Sequence, residues 1–343
     1  MAKTHELILV TGGTGFVGSW AIVRLLQQGY RVRTTVRSLK KETHVRAAIA
    51  PLVDPQDRLT FVVADLTADT GWSAAMAGVD RVLHVASPMH TSDSADIQTF
   101  LKPQRDGDER VLRFAAAAGV KHVVITSAAA AAKPADDSTD WLSDETVWTQ
   151  PNDPVQNPYQ RSKALAEKAA WDWMATYDGP MQLSTVLPTA VFGPVLMPQN
   201  NSSQQLITLM LRGRLPGVFN IGFDIVDVRD LVDLEIAAMQ RDQAAGQRYL
   251  AVADNLKMKA IAQLLKERVP VIAGRVHTNT IPDWLLRLVA RLNANVAVFV
   301  GLLHRQFRYT SAKAQRDLGW RPRSAETTLI DAANQMEKLG LLK

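Results

Sequence analysis

Short apolar runs punctuate the first half of the chain, with longer amphipathic stretches between them. The runs at 7–10, 32–36, 59–63, 81–85, 120–126 and 183–187 have the length of buried strands. Between them the apolar positions recur at helical spacing, most clearly over 20–26 and 99–118. Strands alternating with helices at this interval predict an α/β fold built on a doubly wound parallel sheet. Right-handed crossovers then place all the strand ends on one edge, where ligands bind. After Pro188 the pattern loosens, and 189–223 is rich in Pro, Asn, Ser and Gly. A short run at 223–228 leads into a helix rich in Leu and Ala, and further helices and turns follow 251.

The turn after the first strand reads Thr11-Gly12-Gly13-Thr14-Gly15-Phe16-Val17-Gly18. Strand, glycine turn and helix N-terminus in that order build a pyrophosphate site, because free N–H groups and the helix dipole face the turn. Gly12 permits the tight turn, Gly15 lets phosphates approach the backbone, and Gly18 lets helix and strand pack closely. Phe16 and Val17 open the helix. Without its context the pattern is only a tight strand–helix turn; with strand before and helix after, it points to a dinucleotide and a Rossmann-type domain. That domain is expected over 1–188, joined again by about 224–250. Residues 189–223 and 251–343 are expected to form a smaller, discontinuous C-terminal substrate domain.

A carboxylate about 20 residues past the glycines would bind the ribose 2′-hydroxyl and select NAD. The end of the second strand holds Arg37 instead, and no Asp or Glu lies between Gly18 and Glu42. Arg37 offers a planar fork suited to a phosphate, and Lys40 or Lys41 adds a point charge. NADP is therefore expected over NAD. Asp65, followed by Leu66, ends the third strand. Its carboxylate can accept from the adenine amino group or cap the next helix.

Tyr159 and Lys163 stand in Asn157-Pro158-Tyr159-Gln160-Arg161-Ser162-Lys163-Ala164, and a helical pattern continues through Trp173. A spacing of four puts both side chains on one helix face. A lysine ammonium beside a phenol favours the phenolate and lowers its pKa from about 10 toward working pH. The pair is then a proton donor for a developing alkoxide, and the lysine can also hold ribose hydroxyls. Tyr-x-x-x-Lys is common by chance, and its weight here comes from lying downstream of a dinucleotide fingerprint and the fifth strand.

With these residues in view the chain resembles an extended short-chain dehydrogenase/reductase. More narrowly it is similar to the dihydroflavonol 4-reductase group, which includes cinnamoyl-CoA reductases and methylglyoxal/carbonyl reductases. The resemblance is carried by the glycine turn, by Thr35-Val36-Arg37, by His84-Val85-Ala86-Ser87-Pro88-Met89 and by the Tyr159/Lys163 segment. Leu187-Pro188-Thr189-Ala190-Val191-Phe192-Gly193-Pro194 and Asp317-Leu318-Gly319-Trp320-Arg321-Pro322 extend it over almost the whole chain. It implies that Val85, Ala86 and Ser87 run past the adenosine ribose and pyrophosphate, that Thr126 ends the fifth strand at the cofactor, and that Arg37 meets the 2′-phosphate. It also implies that the Pro188-Thr189 backbone, with Val191 beyond it, faces the nicotinamide amide.

One position departs from the family. Its third catalytic member is normally the second serine of a Thr-Ser-Ser segment, whereas this chain reads Thr126-Ser127-Ala128. Ungapped, the catalytic position falls on Ala128. Either a local shift brings Ser127 to the substrate, or another group takes over or the donor is dispensable, or the chain is a weakened or inactive variant. Ser127 is carried forward as the candidate catalytic serine.

The function expected is NADPH-dependent reduction of an aldehyde or ketone. A nucleotide-sugar epimerase or dehydratase on the same fold is the alternative enzyme, and Arg37 argues against it. A non-catalytic NADP-binding sensor is the alternative of another class, supported by Ala128. Composition narrows the rest. The 343-residue chain has no cysteine, which excludes disulfides and thiolate metal sites, and its seven histidines show no helical metal-ligand pairing. Its net charge of +5 gathers around Arg31, Arg33, Arg37, Lys40, Lys41 and Arg46, with no aromatic platform to suit nucleic acid. The apolar run 296–303 is too short to span a bilayer, and the first strand begins within a few residues of Met1. A cytoplasmic protein with a small-molecule carbonyl substrate is expected, as monomer or homodimer. Candidate pocket segments are 87–91, 128–134 and 189–203. Met89, Val191, Phe192 and Met197 form a candidate apolar wall, with core packing as the default for each. Trp141 and Trp148 either line a lid or cover the sheet edge.

Overall fold

Leu7–Val10 forms β1, and all four of its side chains are buried, as a strand covered on both faces requires. A computed structural model describes residues 5–87, 97–134, 140–150, 158–198, 202–291, 300, 303 and 306–342. After β1 come α1 (Phe16–Gln27), β2 (Arg31–Val36), α2 (Glu42–Ile49), β3 (Leu59–Val63), α3 (Trp72–Met76), β4 (Arg81–His84), α4 (Ile97–Ala117) and β5 (His122–Thr126). Then follow β6 (Asp140–Ser143), α5 (Pro158–Ala175), β7 (Gln182–Pro188), β8 (Ala190–Phe192), α6 (Ser202–Leu211), β9 (Gly222–Asp227), α7 (Val228–Gln240) and β10 (Arg248–Ala251). The chain closes with β11 (Asp254–Lys257), α8 (Met258–Arg268), α9 (Asp283–Ala290), β12 (Gln306–Tyr309) and the helices Ala312–Leu318 and Ala325–Lys338.

Seven strands form one parallel sheet in the order β10-β7-β5-β4-β1-β2-β3. The chain winds outward from β1 through β2 to β3, then returns to β4 on the other side of β1. This reversal opens a crevice at the carboxyl ends of β1 and β4, where a doubly wound sheet binds its ligand. One face of the sheet is covered by α1 and α7, whose Ile22, Leu25, Leu231 and Leu234 are fully buried in one core. The other carries α3, α4 and α5, with Trp72, Val111, Leu112 and Ala170 buried in a second core.

Beyond β7, strands β8, β9 and β11 make a separate three-stranded sheet, with β9 parallel to β8 and antiparallel to β11. The intervening α7 and β10 belong with the large sheet, α7 against its face and β10 along the edge of β7. Asp227 joins the two sheets. It ends β9, caps α7 by accepting from Arg229 N at 2.8 Å, and pairs with the Arg229 guanidinium. The 317–322 motif is an anchor of the same kind. Gly319 ends the Ala312–Leu318 helix at φ +64°, and buried Trp320 donates Nε1–H to the Asp230 carbonyl of α7 at 2.8 Å. Among the described residues no helix is long and apolar enough to cross a membrane.

α7 also buries an acid. Glu235 is fully buried, and its Oε1 accepts from Thr126 Oγ1 at 2.5 Å. Its Oε2 has no hydrogen-bond partner among the described residues, and burial pushes the carboxyl up to about 8 from an ordinary 4.5. An acid whose folded pKa is raised keeps its proton while the unfolded chain has lost it, so it costs stability as pH climbs between those two values. Glu235→Gln keeps an acceptor for Thr126 and removes the ionisation. Urea unfolding should show the variant gaining on the wild type by a few kcal/mol, as an order of magnitude, between pH values near 4.5 and near 8.5. A stability difference that does not change with pH would show the carboxylate to be solvated.

Candidate active site

The glycine turn is shaped by what a side chain would strike. Gly12 sits at φ +70°, and a Cβ there would meet the Ala86 Cβ at 3.0 Å, just past β4. A Cβ on Gly18 would stand 2.3 Å from the Gly12 carbonyl oxygen. Gly18 therefore seats α1 on the turn itself, whereas its expected role was to ease helix against strand. Gly15 N donates to Gly12 O at 2.8 Å, and α1 starts with no side-chain cap. The first helical N–H groups, at Phe16 and Val17, thus remain for an anion, and a pyrophosphate fits this cradle.

Arg37 follows β2 at the surface, and Lys40 is exposed in a short 3₁₀ turn that Ser38 caps. Both follow the carboxyl end of β2. Asp65 follows β3. Its Oδ1 accepts from the Thr67 hydroxyl at 2.6 Å and from Thr67 N at 2.8 Å, and these bonds hold the carboxyl below its usual range, with nearby Arg37 and Arg110 adding to them. Asp65 thus closes its own turn; the next helix, α3, is capped by Gly71. Leu66 packs over Gly107 of α4.

A buried polar network ties this crevice to α4 and α5. Thr11 Oγ1 accepts from Ala86 N at 3.0 Å and lies 2.7 Å from His84 Nδ1, and His84 Nε2 lies 3.0 Å from Asp108 Oδ1. The same Oδ1 accepts from Gln104 Nε2 at 2.9 Å. Gln104 Oε1 accepts from Ser87 Oγ at 2.5 Å and from Lys163 Nζ at 3.2 Å, and Lys163 Nζ also donates to Ser87 Oγ at 3.1 Å. Burial lowers the Lys163 pKa, and the Asp108 and Glu167 carboxylates act against that shift. Tyr159 lies in the first turn of α5, one turn before Lys163; its side chain lies outside the described residues.

One turn after Lys163, Glu167 anchors a second network. Its carboxylate accepts from Arg248 Nε at 2.8 Å, from Thr185 Oγ1 at 2.8 Å and from Ser127 Oγ at 2.7 Å. Arg248 donates onward to the carbonyls of Ala131, Glu145 and Val147, and its guanidinium lies 3.6 Å from the centre of the Trp148 ring. The Ser127 hydroxyl, expected at the substrate carbonyl, is thus engaged with Glu167. Ala128 is buried in extended conformation ahead of the 3₁₀ turn Ala129–Ala132. Thr126 turns its hydroxyl to Glu235 of α7.

At the end of β7, Pro188 pairs with Ala251 of β10, and Thr189 N and Oγ1 both donate to the Ala251 carbonyl. Val191 is half-buried in β8, opposite Val226. Phe192 and Met197 are core residues, and Trp141 packs edge-on against Tyr309 at 5.3 Å. Val85 follows the end of β4, whereas pocket candidates 88–91 with Met89, and 199–201, lie outside the described residues. Gln104, Asp108, Glu167 and Arg248 were not foreseen. The signal for two of them is periodicity: 104 and 108 share the helical spacing of Leu101, Val111, Leu112 and Ala115, so polar groups interrupt a buried stripe. Among the described residues no group of acids and histidines could hold a metal.

The model of the NAD dependent epimerase/dehydratase family matches residues 8–251. An anthocyanidin reductase ((2S)-flavan-3-ol-forming) of Vitis vinifera is 34% identical over 292 residues, covering 79% of this chain and 84% of that protein. Ketoreductase azaE of Aspergillus niger is 28% identical over 356 residues, covering 98% and 99%. The crystal structure of Gre2 from Candida albicans in complex with NADPH superposes with a TM-score of 0.79 at 25% identity, covering 97% of this chain and 99% of that one.

The Arg248–Glu167 pair predicts a stability effect. Both side chains are buried, with 8% and 1% exposure. Arg248→Met leaves Glu167 without its guanidinium and frees three loop carbonyls. The expected loss is about 3–5 kcal/mol in urea unfolding, the usual cost of stranding one member of a buried pair. A loss below about 1 kcal/mol would mean that water reaches Glu167.

Proposed function

The chain belongs to the NAD dependent epimerase/dehydratase family, and from that premise we propose that it reduces the carbonyl group of an aldehyde or ketone to an alcohol. The observation that carries this reading is the place of Lys163. It is a buried ammonium one helical turn after Tyr159, held at the crevice of a doubly wound sheet beside Ser87. Several relatives are reductases by name, an anthocyanidin reductase and a ketoreductase among them. The cofactor is NADP. The uncapped α1 N-terminus and the Gly12/Gly18 turn suit its pyrophosphate, and Arg37 with Lys40 suits its 2′-phosphate. Val85, Ala86 and Ser87 suit its ribose, and Pro188, Thr189 and Val191 its nicotinamide end.

When bound, the reduced cofactor supplies a hydride to the carbonyl carbon. Tyr159 gives its phenolic proton to the oxygen as charge builds there, so hydride and proton together convert carbonyl to alcohol. Lys163 favours the phenolate that Tyr159 becomes and thereby makes the proton easier to give. Two of its three N–H donors are engaged by Ser87 and Gln104, which leaves one for a ribose hydroxyl. Tyr159→Phe should keep NADPH affinity and lose about 10²–10⁴ in turnover against a panel of aldehydes and ketones. Turnover above roughly a tenth of wild type would move the proton donor elsewhere.

The serine position sharpens the reading. The Ser127 hydroxyl donates to Glu167, which supports the reading that puts Ala128 at the carbonyl position, where a methyl group replaces a donor. Ala128→Ser should raise turnover, toward the factor of about 10²–10³ that one such donor contributes. Ser127→Ala should cost stability and leave the chemistry in place. The opposite pair of results would show that Ser127 turns to the substrate on binding. The same observation supports a second reading, a protein that binds NADP without turnover. NADPH binding with no carbonyl reduced by the wild-type protein would favour it.

A further inference from the structure

Two carboxylates approach the Lys163 ammonium, and their surroundings differ. Glu167, on the next turn of α5, is already matched by Arg248 of β10 and also accepts from Ser127 and Thr185. Asp108 of α4 makes no ion pair with an arginine or lysine among the described residues; its Oδ1 accepts from Gln104 Nε2 and meets His84 Nε2. The chain of bonds is satisfied with His84 as the Nε2–H tautomer. Thr11 Oγ1 takes the Ala86 N–H and passes its own proton to His84 Nδ1, and Nε2–H then reaches Asp108. On the other arm Gln104 is fully directional. Its amide N–H serves Asp108, and its carbonyl takes the Ser87 hydroxyl and the Lys163 ammonium.

We propose that Asp108 is the counter-charge of Lys163 and that Gln104 is the positioning residue joining them, one amide wide. A buried ammonium needs an opposite charge and aligned acceptors, and among the described residues the only carboxylate near Lys163 not already matched by a guanidinium is Asp108. The direct bond is to Gln104, so the charge acts at one remove and does not capture the ammonium in an ion pair. Lys163 stays protonated and keeps an N–H for the cofactor ribose. The other arm of Asp108 runs through His84 and Thr11 to the Ala86 backbone beside Gly12, so one carboxylate oxygen holds both the glycine-turn wall and the lysine. Among the described residues the groups around Lys163 are Ser87 from the end of β4, Gln104 and Asp108 from α4, with His84 behind Asp108, and Glu167 from the next turn of α5; Tyr159 precedes it by one turn.

This inference rests on the reading of Lys163 as the group that holds the cofactor ribose and tunes Tyr159, and binding is measured apart from turnover for that reason. NADPH binding, followed by fluorescence of the bound nicotinamide from about pH 6 to about pH 10, reports the protonation of Lys163. Asp108→Asn keeps the shape and removes the charge, so Lys163 loses its proton more easily. The alkaline limb of binding should move down by roughly one pH unit, and the Kd on that limb should rise about tenfold. Combining Asp108→Asn with Gln104→Glu returns a carboxylate to the ammonium, and the limb should move back up. A merely structural Asp108 would lower the thermal midpoint without moving the limb, and the double variant would only add to the damage. A limb unmoved in Asp108→Asn overturns the proposal. If that variant does not fold, Gln104→Met severs the link while leaving the carboxylate, and a limb unmoved there overturns it equally. A limb that moves in a protein reducing no carbonyl would sink the activity reading and leave this one standing.

Discussion

An ammonium taken out of water needs acceptors and an opposite charge, and Lys163 draws them from separate elements. Ser87 comes from the end of β4, Gln104 and behind it Asp108 from α4, and Glu167 from its own helix. None of these contacts exists unless α4 and α5 lie side by side on one face of the sheet, with β4 ending beneath them. The desolvation of a lone ammonium would cost several kcal/mol, which a domain with the usual margin of stability cannot leave uncompensated. The packing of this face and the polar lining of the crevice therefore stand or fall together.

A second buried charge is handled differently. Glu167 meets its guanidinium directly, and Arg248 spends its remaining donors on the carbonyls of Ala131, Glu145 and Val147. This pins the turn after β5 and the segment after β6 to β10. Positions 159, 163 and 167 follow one another at single helical turns on α5, so Tyr159, Lys163 and the anchor of these loops belong to one helix face. A shift of α5 would disturb all three at once. Such coupling suits a site in which the protein supplies orientation and a proton while a cofactor supplies the reducing power.

The sheet's other face carries its own exception. Glu235 of α7 is buried with a threonine for its only hydrogen-bond partner among the described residues, and burial raises its pKa to about 8. Three buried acids around two strand ends thus differ in their partners: a guanidinium for Glu167, an amide and an imidazole for Asp108, and one hydroxyl for Glu235.

The alternation of apolar runs and amphipathic stretches determined the doubly wound sheet, because strand and helix periodicities are local properties of the chain. The glycine turn was legible for the same reason: Gly12 and Gly18 answer to backbone clashes within a few residues of themselves. Tyr159 and Lys163 could be paired because helical spacing fixes which residues share a face. The partners of Lys163 could not. Gln104 and Asp108 lie over fifty residues upstream and read as polar interruptions of a buried stripe, and only the packing of α4 on α5 turns that interruption into a lining. Arg248 likewise reads as the start of a strand, and the sheet order alone brings β10 to Glu167. Spacing along the chain also left Ser127 and Ala128 as alternatives, since a hydroxyl at a strand end can turn to either side. The tertiary structure engaged Ser127 with Glu167, because a buried carboxylate draws every donor within its reach.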